Sequence, residues 1–440
     1  MPFDSGRVTF CRFAVTGDGP ASVDDAVLSI LTEHRFRETE IGAPEEIEAG
    51  FVTPEHLLDT RFTYEKVGFG SAAGGASRLL VGVRIDTHKV PAEVKRAYRV
   101  MNEQAAAGEN PSGFATKGQK QEARELADRQ VREDLAKGMY RKSKVVPVLW
   151  DFATRHVYCG ASGTTVIEQV VRLFRQSFAV DLSLLSAGVA AGELLRSQGR
   201  TRDYEDVIPS AFTKPPADTG SQTNSESDDP SPSAGPELPW IAKSIDLKDF
   251  LGNELLLWLW WQTETREGAI AIPGGEAYLA IDRSLDLDCA WGLGGKVSVR
   301  GDGPTRLRES AEALRTGKWP RKAGLLLSDG SQPWELTLQG DQWTVGAAKL
   351  PEVPDAQSPR ELTDARLELT VTLGRLLDGL FTAFLEKRMS ASWPSQRDAI
   401  RDWIRTRQRG GSGANQAAIE VQPVINATTP PRPARTAAEV

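Results

Sequence analysis

Cysteine is scarce in this chain: three residues in 440, Cys11, Cys159 and Cys289, widely spaced and without a C-x-x-C pair. An odd, dispersed set cannot close an even disulfide framework, so the sequence predicts a reducing, cytoplasmic location. Histidine is nearly as rare. His34, His56, His88 and His156 never pair at i, i+4, and His156 and Cys159 stand three apart on a predicted strand and so point to opposite faces. No metal site and no cofactor is expected. Long apolar runs are missing too. The strongest, Leu255 to Trp261, falls far short of the ~20 residues of a spanning helix, and the opening MPFDSGRVTF has neither the basic nor the apolar region of an export signal. An excess of positive charge is also absent: 53 Lys and Arg against 60 Asp and Glu give a formal charge of -7. That excludes a uniformly basic coat but leaves room for a basic patch.

Tryptophan divides what is present. Trp150 stands alone before residue 239, while Trp240, Trp258, Trp260, Trp261, Trp291, Trp319, Trp334, Trp343, Trp393 and Trp403 follow it, which predicts two halves with different cores. Between them KPPADTGSQTNSESDDPSPSAGPELP has almost no apolar residue to repay ordering entropy. The expected organisation is an α+β region over 1–209, a disordered linker over 210–239, a Trp-rich α+β region over 240–407 and a disordered tail over 408–440. Mixed or antiparallel sheets with flanking helices are the expected fold class.

Local patterns fill this frame. An opening strand around Val8 to Ala14, a helix over Val23 to Glu33 and a buried strand over Leu79 to Ile85 come first. Charged helices follow at Ala92 to Gln104 and Lys117 to Lys137, then a hairpin of Val145–Trp150 and His156–Cys159 turning at Thr154-Arg155. Val166, Ile167, Val170, Val171, Phe174 and Phe178 share one helical face. In the second half Asp249 to Thr263 is apolar nearly all round and reads as a buried helix or strand. Alternating runs from Ala269 to Ala347 predict an antiparallel meander, interrupted by a helix near Arg306 to Thr316. Leu362 to Arg388 predicts a long helix whose face of Leu369, Leu373, Leu376, Leu380 and Phe384 packs in cis or on a partner.

Catalytic signatures are weak. Gly160-Ala-Ser162-Gly163-Thr164 sits between strand and helix, where a nucleophile elbow belongs, but its fifth residue is Thr, so G-x-S-x-G fails. Helix capping by Ser162, Thr164 or Thr165 explains it better; a serine hydrolase using Ser162 is the least favoured alternative. Gly68-Phe-Gly70-Ser-Ala-Ala-Gly74-Gly75 lacks the P-loop lysine and precedes a strand. Trp258, Trp260 and Trp261 could stack nucleic-acid bases, but their leucine neighbours favour a core.

Basic density carries more information. Lys117 to Lys144 holds nine cations against five acids and ends in Arg132, Lys137, Arg141, Lys142 and Lys144 around Tyr140. Arg300 to Lys322 holds seven against three, among them Arg315, Lys318, Arg321 and Lys322, and Glu386 to Arg409 again holds seven against three. One such run is ordinarily a solvated helix face. Three in an acidic chain point to a restricted phosphate-binding surface.

The order of a basic helix, Lys137-Gly-Met-Tyr140-Arg141-Lys142, Val-Leu-Trp150-Asp151, a turn, Val157-Tyr-Cys-Gly-Ala161-Ser162, and a helix with Glu168 and Leu173-Phe-Arg175 resembles the recombination-associated protein RdgC family. Gly50-Phe-Val-Thr-Pro54 fits the same resemblance, which is best over Glu93 to Phe178. Leu255-Leu-Leu-Trp258-Leu-Trp260-Trp261 and Phe381-x-x-Phe384-Leu-x-x-Arg388 look like segments of its longer members. The resemblance implies a non-enzymatic, nucleoid-associated protein that forms a ring-like homodimer. It further implies binding to duplex DNA without strong sequence preference, with single strands left as an open alternative, limiting access of a RecA-type recombinase. Basic density places the expected DNA contacts at Lys137, Arg141, Lys142 and Lys144, then Arg132 and the Arg315 to Lys322 cluster. The alternative from another class is an interaction protein that assembles through its long helices without binding DNA.

Overall fold

The first strand, β1 (Val8–Thr16), is buried at every position but Thr9 and Thr16, the pattern of a strand covered on both faces. The computed structural model describes residues 3–38, 47–71, 75–214, 236–266, 268–292 and 295–407. After β1 come α1 (Asp25–Glu33), β2 (Ile47–Val52), α2 (Tyr64–Val67), β3 (Gly68–Phe69), β4 (Arg78–His88), α3 (Ala92–Gly108) and α4 (Lys117–Ala136). Then follow β5 (Arg141–Asp151), β6 (His156–Cys159), α5 (Thr164–Phe178), β7 (Asp181–Leu184), α6 (Ala187–Ser197) and α7 (Thr201–Asp206). The second half adds α8 (Phe250–Thr265), β8 (Ala269–Ile272), β9 (Gly275–Cys289), β10 (Val297–Arg300), α9 (Arg308–Arg315) and β11 (Lys318–Ser328). It closes with β12 (Pro333–Gln339), β13 (Thr344–Lys349), α10 (Pro359–Arg388) and α11 (Trp393–Thr406).

The strands join in one sheet of thirteen, in the order β10-β9-β11-β12-β13-β1-β6-β5-β4-β2, with β3 on β4, β7 on β1 and β8 on β9. Every ladder is antiparallel, and the isolated bridge of Arg35 with Phe51 is the one parallel pairing among the described residues. The expected meander holds from β11 to β13, whereas β10 turns back onto the far side of β9. The helix expected from Val23 begins two residues later, because Asp24 caps it by accepting the Val27 N–H at 2.9 Å.

β1 makes the two halves continuous. Val8 and Phe10 pair with Ala348 and Val345 of β13, Cys11 to Ala14 pair with Cys159 to His156 of β6, and Phe13 to Thr16 pair with β7. Val8 and Phe10 of β1 enter a large core with Trp260, Trp319, Trp334 and Trp343, to which Leu80, Leu149 and Tyr158 of the first half also belong. Its odd-numbered residues, Cys11, Phe13 and Val15, enter a smaller core with Trp150, Phe174 and Phe178. The two cores are thus the two faces of a shared sheet.

This corrects the expected fold of two segments joined by a disordered linker. Phe212 and Leu238, both inside the expected linker, are buried in the large core, while residues 215–235 and the tail 408–440 lie outside the described residues. The ring-like part of the expectation is corrected with it. The chain forms a single open sheet ending at β10 and β2, and no closed barrel occurs among the described residues.

α10 fastens the halves together. Near its start Arg360 donates to the Gly68 carbonyl, and Asp364 accepts from the Gly70 N–H at 3.0 Å. In its middle Asp378 takes two hydrogen bonds from buried Arg12, at 2.6 and 2.8 Å. At its end Arg388 pairs at 2.5 Å with Glu254 of α8, whose side chain is wholly buried. Leu373, Leu376, Leu380 and Phe384 are buried and Leu369 packs against the same core, so the long helix packs in cis. Trp258, Trp260 and Trp261 are core residues as well. No helix among the described residues is long and apolar enough to cross a membrane.

Candidate nucleic-acid interface

β4 and β5 pair along their whole length, from Arg78 with Asp151 to His88 with Arg141. Where they leave the sheet, the chain between them builds a helical hairpin instead of a turn. Thr116 and Gln119 form a reciprocal capping box at the start of α4. Gly138 at φ +76° ends the helix, its N–H bonded to the Leu135 carbonyl, which is the left-handed position that favours glycine. With 20 residues α4 is about 30 Å long.

The hairpin packs chiefly on itself. α3 buries no residue, and α4 buries only Ala123, Ala127 and Asp134. The two helices meet through polar groups: the Tyr98 hydroxyl donates to Asp134 at 2.6 Å, Asn102 to Gln130 at 3.1 Å, and Lys95 pairs with Asp128 at 2.7 Å. The Asp134 carboxylate pushes the Tyr98 phenol up to about 12. A helix pair this polar and this poorly buried is an arm standing off the sheet.

From Lys89 to Lys144 the arm and its root carry thirteen Lys and Arg against eight Asp and Glu. Lys137, Lys142 and Lys144 are exposed at the root and form no ion pair among the described residues. Arg132 is exposed one turn earlier on α4. Arg141 stands apart. Successive strand residues alternate faces, so Arg141 lies opposite Lys142 and on the same side as Asp86 and Glu38. There Asp86 is wholly buried and takes hydrogen bonds from Arg84 at 2.9 and 2.7 Å, and Glu38 receives Arg141 at 3.2 Å. Hydrogen bonds from Arg84 and then Arg141 hold the Glu38 carboxyl below its ordinary value, so the Arg141 charge is already answered. Tyr140, between Lys137 and Arg141, has φ +64°, uncommon for a residue with a side chain.

The other basic regions are built differently. β11 lies five strand positions from β5, about 24 Å at ~4.8 Å per strand. Arg315 pairs with Glu312 at 2.5 Å. Arg321 stacks on the Trp240 ring and pairs with Asp341 and with Asp288. Lys318 and Lys322 are half-buried, and Lys318 donates to Thr316 at 3.3 Å. In the third region Arg388, Arg397, Arg401, Arg405 and Arg407 each pair with a carboxylate. Strand alternation after Arg141 was the signal available for separating Arg141 from Lys142. The residues missed by sequence reasoning are Lys89 and Arg96, which the β4–α3 segment adds to the same arm.

Ser162 is exposed on the rim of a cavity of about 570 Å³, which is also lined by Cys11, Thr164, Lys243, Asp249, Arg321 and Asp341. No histidine lines that cavity. The cap of α5 is Gly163, with no side-chain hydrogen bond, so the capping expected of Ser162, Thr164 or Thr165 is not made. No cluster of three potential metal ligands occurs among the described residues. The chain matches no family model and no curated protein.

Proposed function

We propose that this chain binds DNA without sequence preference and without catalysis, through phosphate contacts from the α3–α4 arm and its root. The observation that carries the reading is a contrast in pairing: Lys137, Lys142 and Lys144 are exposed without ion pairs among the described residues, whereas Arg388, Arg397, Arg401, Arg405 and Arg407 of the C-terminal region each pair with a carboxylate. Lysine and arginine contacts to phosphates give salt-sensitive affinity that carries no base information. A ~30 Å helix also spans roughly nine base pairs at ~3.4 Å each. The resemblance to the RdgC family supplies the biological setting of this reading: a nucleoid-associated protein that limits access of a RecA-type recombinase.

Gel-shift titrations of duplex and single-stranded DNA at two salt concentrations test it. Replacing Lys137, Lys142 and Lys144 with Glu should weaken binding equally on unrelated sequences and flatten the salt slope by roughly 0.9 for each duplex phosphate no longer neutralised. Unchanged affinity and slope would remove this surface. A second reading draws on the apolar residues that the arm leaves exposed, Val100, Met101, Phe114, Leu126 and Met139. They fit an arm that assembles on another protein. That reading gains if DNA fails to bind near physiological salt while arm variants change the solution mass.

A further inference from the structure

We propose that Cys11 and Cys159 form an oxidisable dithiol, converted by a peroxide into a disulfide across β1 and β6. The strand register sets these two residues directly opposite one another, and all three cysteines of the chain are free thiols. Paired residues share a face, and both sulfurs point into the smaller core. Cys11 Sγ lies 3.1 Å from the Ala161 carbonyl oxygen and 3.9 Å from that of Cys159. Burial would ordinarily keep such thiols inert. Here Cys11 also lines the 570 Å³ cavity beside Ser162, which brings a molecule as small as a peroxide up to Cys11, one strand from wholly buried Cys159.

The ladder also sets the character of the bond. Val15 donates its N–H to Arg155 O at 2.9 Å, and antiparallel pairs alternate, so Cys11 and Cys159 occupy a hydrogen-bonded pair with Cα atoms about 5.5 Å apart. That separation falls inside the range of disulfides. Side chains at such pairs stand farther apart than at the alternate ones, so closing the bridge draws the strands together. A bridge under such strain is reducible and suits a reversible state.

The two thiols differ in acidity. Hydrogen bonding from Cys11 favours the Cys159 thiolate against the opposing effect of burial, and the Ala161 N–H and the Lys144 charge add to it. The same hydrogen bond, together with burial, pushes the Cys11 thiol up. Oxidation then proceeds in two steps. The Cys159 thiolate attacks one peroxide oxygen and the O–O bond breaks, leaving a sulfenic acid, while the departing hydroxide takes up the proton Cys159 had shed and becomes water. Cys11 sulfur attacks the sulfenic sulfur, the S–O bond breaks, and the hydroxyl leaves with the Cys11 proton as a second water. Two thiols give up two electrons and two protons, and the peroxide is reduced to two waters.

The full chain, treated with hydrogen peroxide, unfolded in an alkylating reagent and mapped by mass spectrometry, tests this. The expected result is a linked pair of peptides containing Cys11 and Cys159, an intact mass lower by two hydrogens, and reversal by dithiothreitol. Cys289, buried on β9 opposite Lys318, should remain alkylatable and serves as the internal control. In a folded Cys11→Ser variant the sulfenic acid at Cys159 should persist and be trapped by dimedone. Full alkylation of both cysteines after treatment would overturn the proposal, as would oxygen addition at Cys159 with wild-type Cys11 left free.

Discussion

The arm and the Trp-rich core have similar excesses of basic residues along the chain, yet they use them in opposite ways. Around the core, arginines hold elements together: Arg388 neutralises wholly buried Glu254, Arg407 pairs with Glu264, and Arg321 bridges Asp288 and Asp341 beneath Trp240. At the root of the arm, Lys137 at the end of α4 and Lys142 and Lys144 at the start of β5 face solvent without a carboxylate among the described residues, beneath helices that bury almost nothing. Charge density along a sequence therefore does not identify a binding surface. Whether each cation already has a partner does.

Removing the arm puts this contrast under the greatest strain. Excising residues 90–139 and closing β4 onto β5 with an Asn-Gly turn should weaken DNA binding strongly, because Lys137 and the other cations of the arm go with it while Lys142 and Lys144 remain on β5. The melting transition of the body should move little, since α3 contributes no buried residue. A body that no longer folds would show that the arm is structural. The converse variant is Arg388→Met, which strands Glu254 in the core. It should cost about 3–5 kcal/mol in urea unfolding while leaving DNA affinity intact where the protein is folded.

Gly374→Ala should cost about 1–3 kcal/mol, because a Cβ there meets the Tyr158 hydroxyl and the Arg12 guanidinium where α10 closes on the sheet. A neutral result would mean that α10 can shift away. The smallest effect concerns pH. Burial, then the nearby Arg12, lower the His156 value, so the unfolded chain protonates first. Stability is fully present above ~6.5 and should fall as pH drops below it towards the folded value. His156→Gln should flatten that slope in pH-dependent melting.

Much of the local structure was legible. The residues from Val8 to Ala14 read as an opening strand, the alternation before and after Thr154-Arg155 gave a hairpin whose turn holds Arg155 at φ +56°, and the charged stretch after Thr116 gave α4 almost to the residue. The pairing of β1 with β13 was not legible, since a long-range ladder leaves no mark in local periodicity. The grip of α10 on Arg12 was hidden for the same reason: a buried arginine and its aspartate are separated by most of the chain. For the site, the cluster from Lys137 to Lys144 was visible, but its division between two strand faces depended on knowing that β5 begins at Arg141. The pairing of Arg321 and Arg388 required the fold.

Whether unpaired cations at the arm root bind phosphate is decided by the salt dependence of duplex binding for three proteins side by side. They are the natural chain, the variant with Lys137, Lys142 and Lys144 changed to Glu, and one with Arg315, Lys318 and Lys322 changed to Glu. A steep slope is expected for the natural chain, a clearly shallower one with weaker binding for the first variant, and no change for the second. Equal slopes for the natural chain and the first variant, or a greater weakening in the second, would contradict phosphate binding at the arm root.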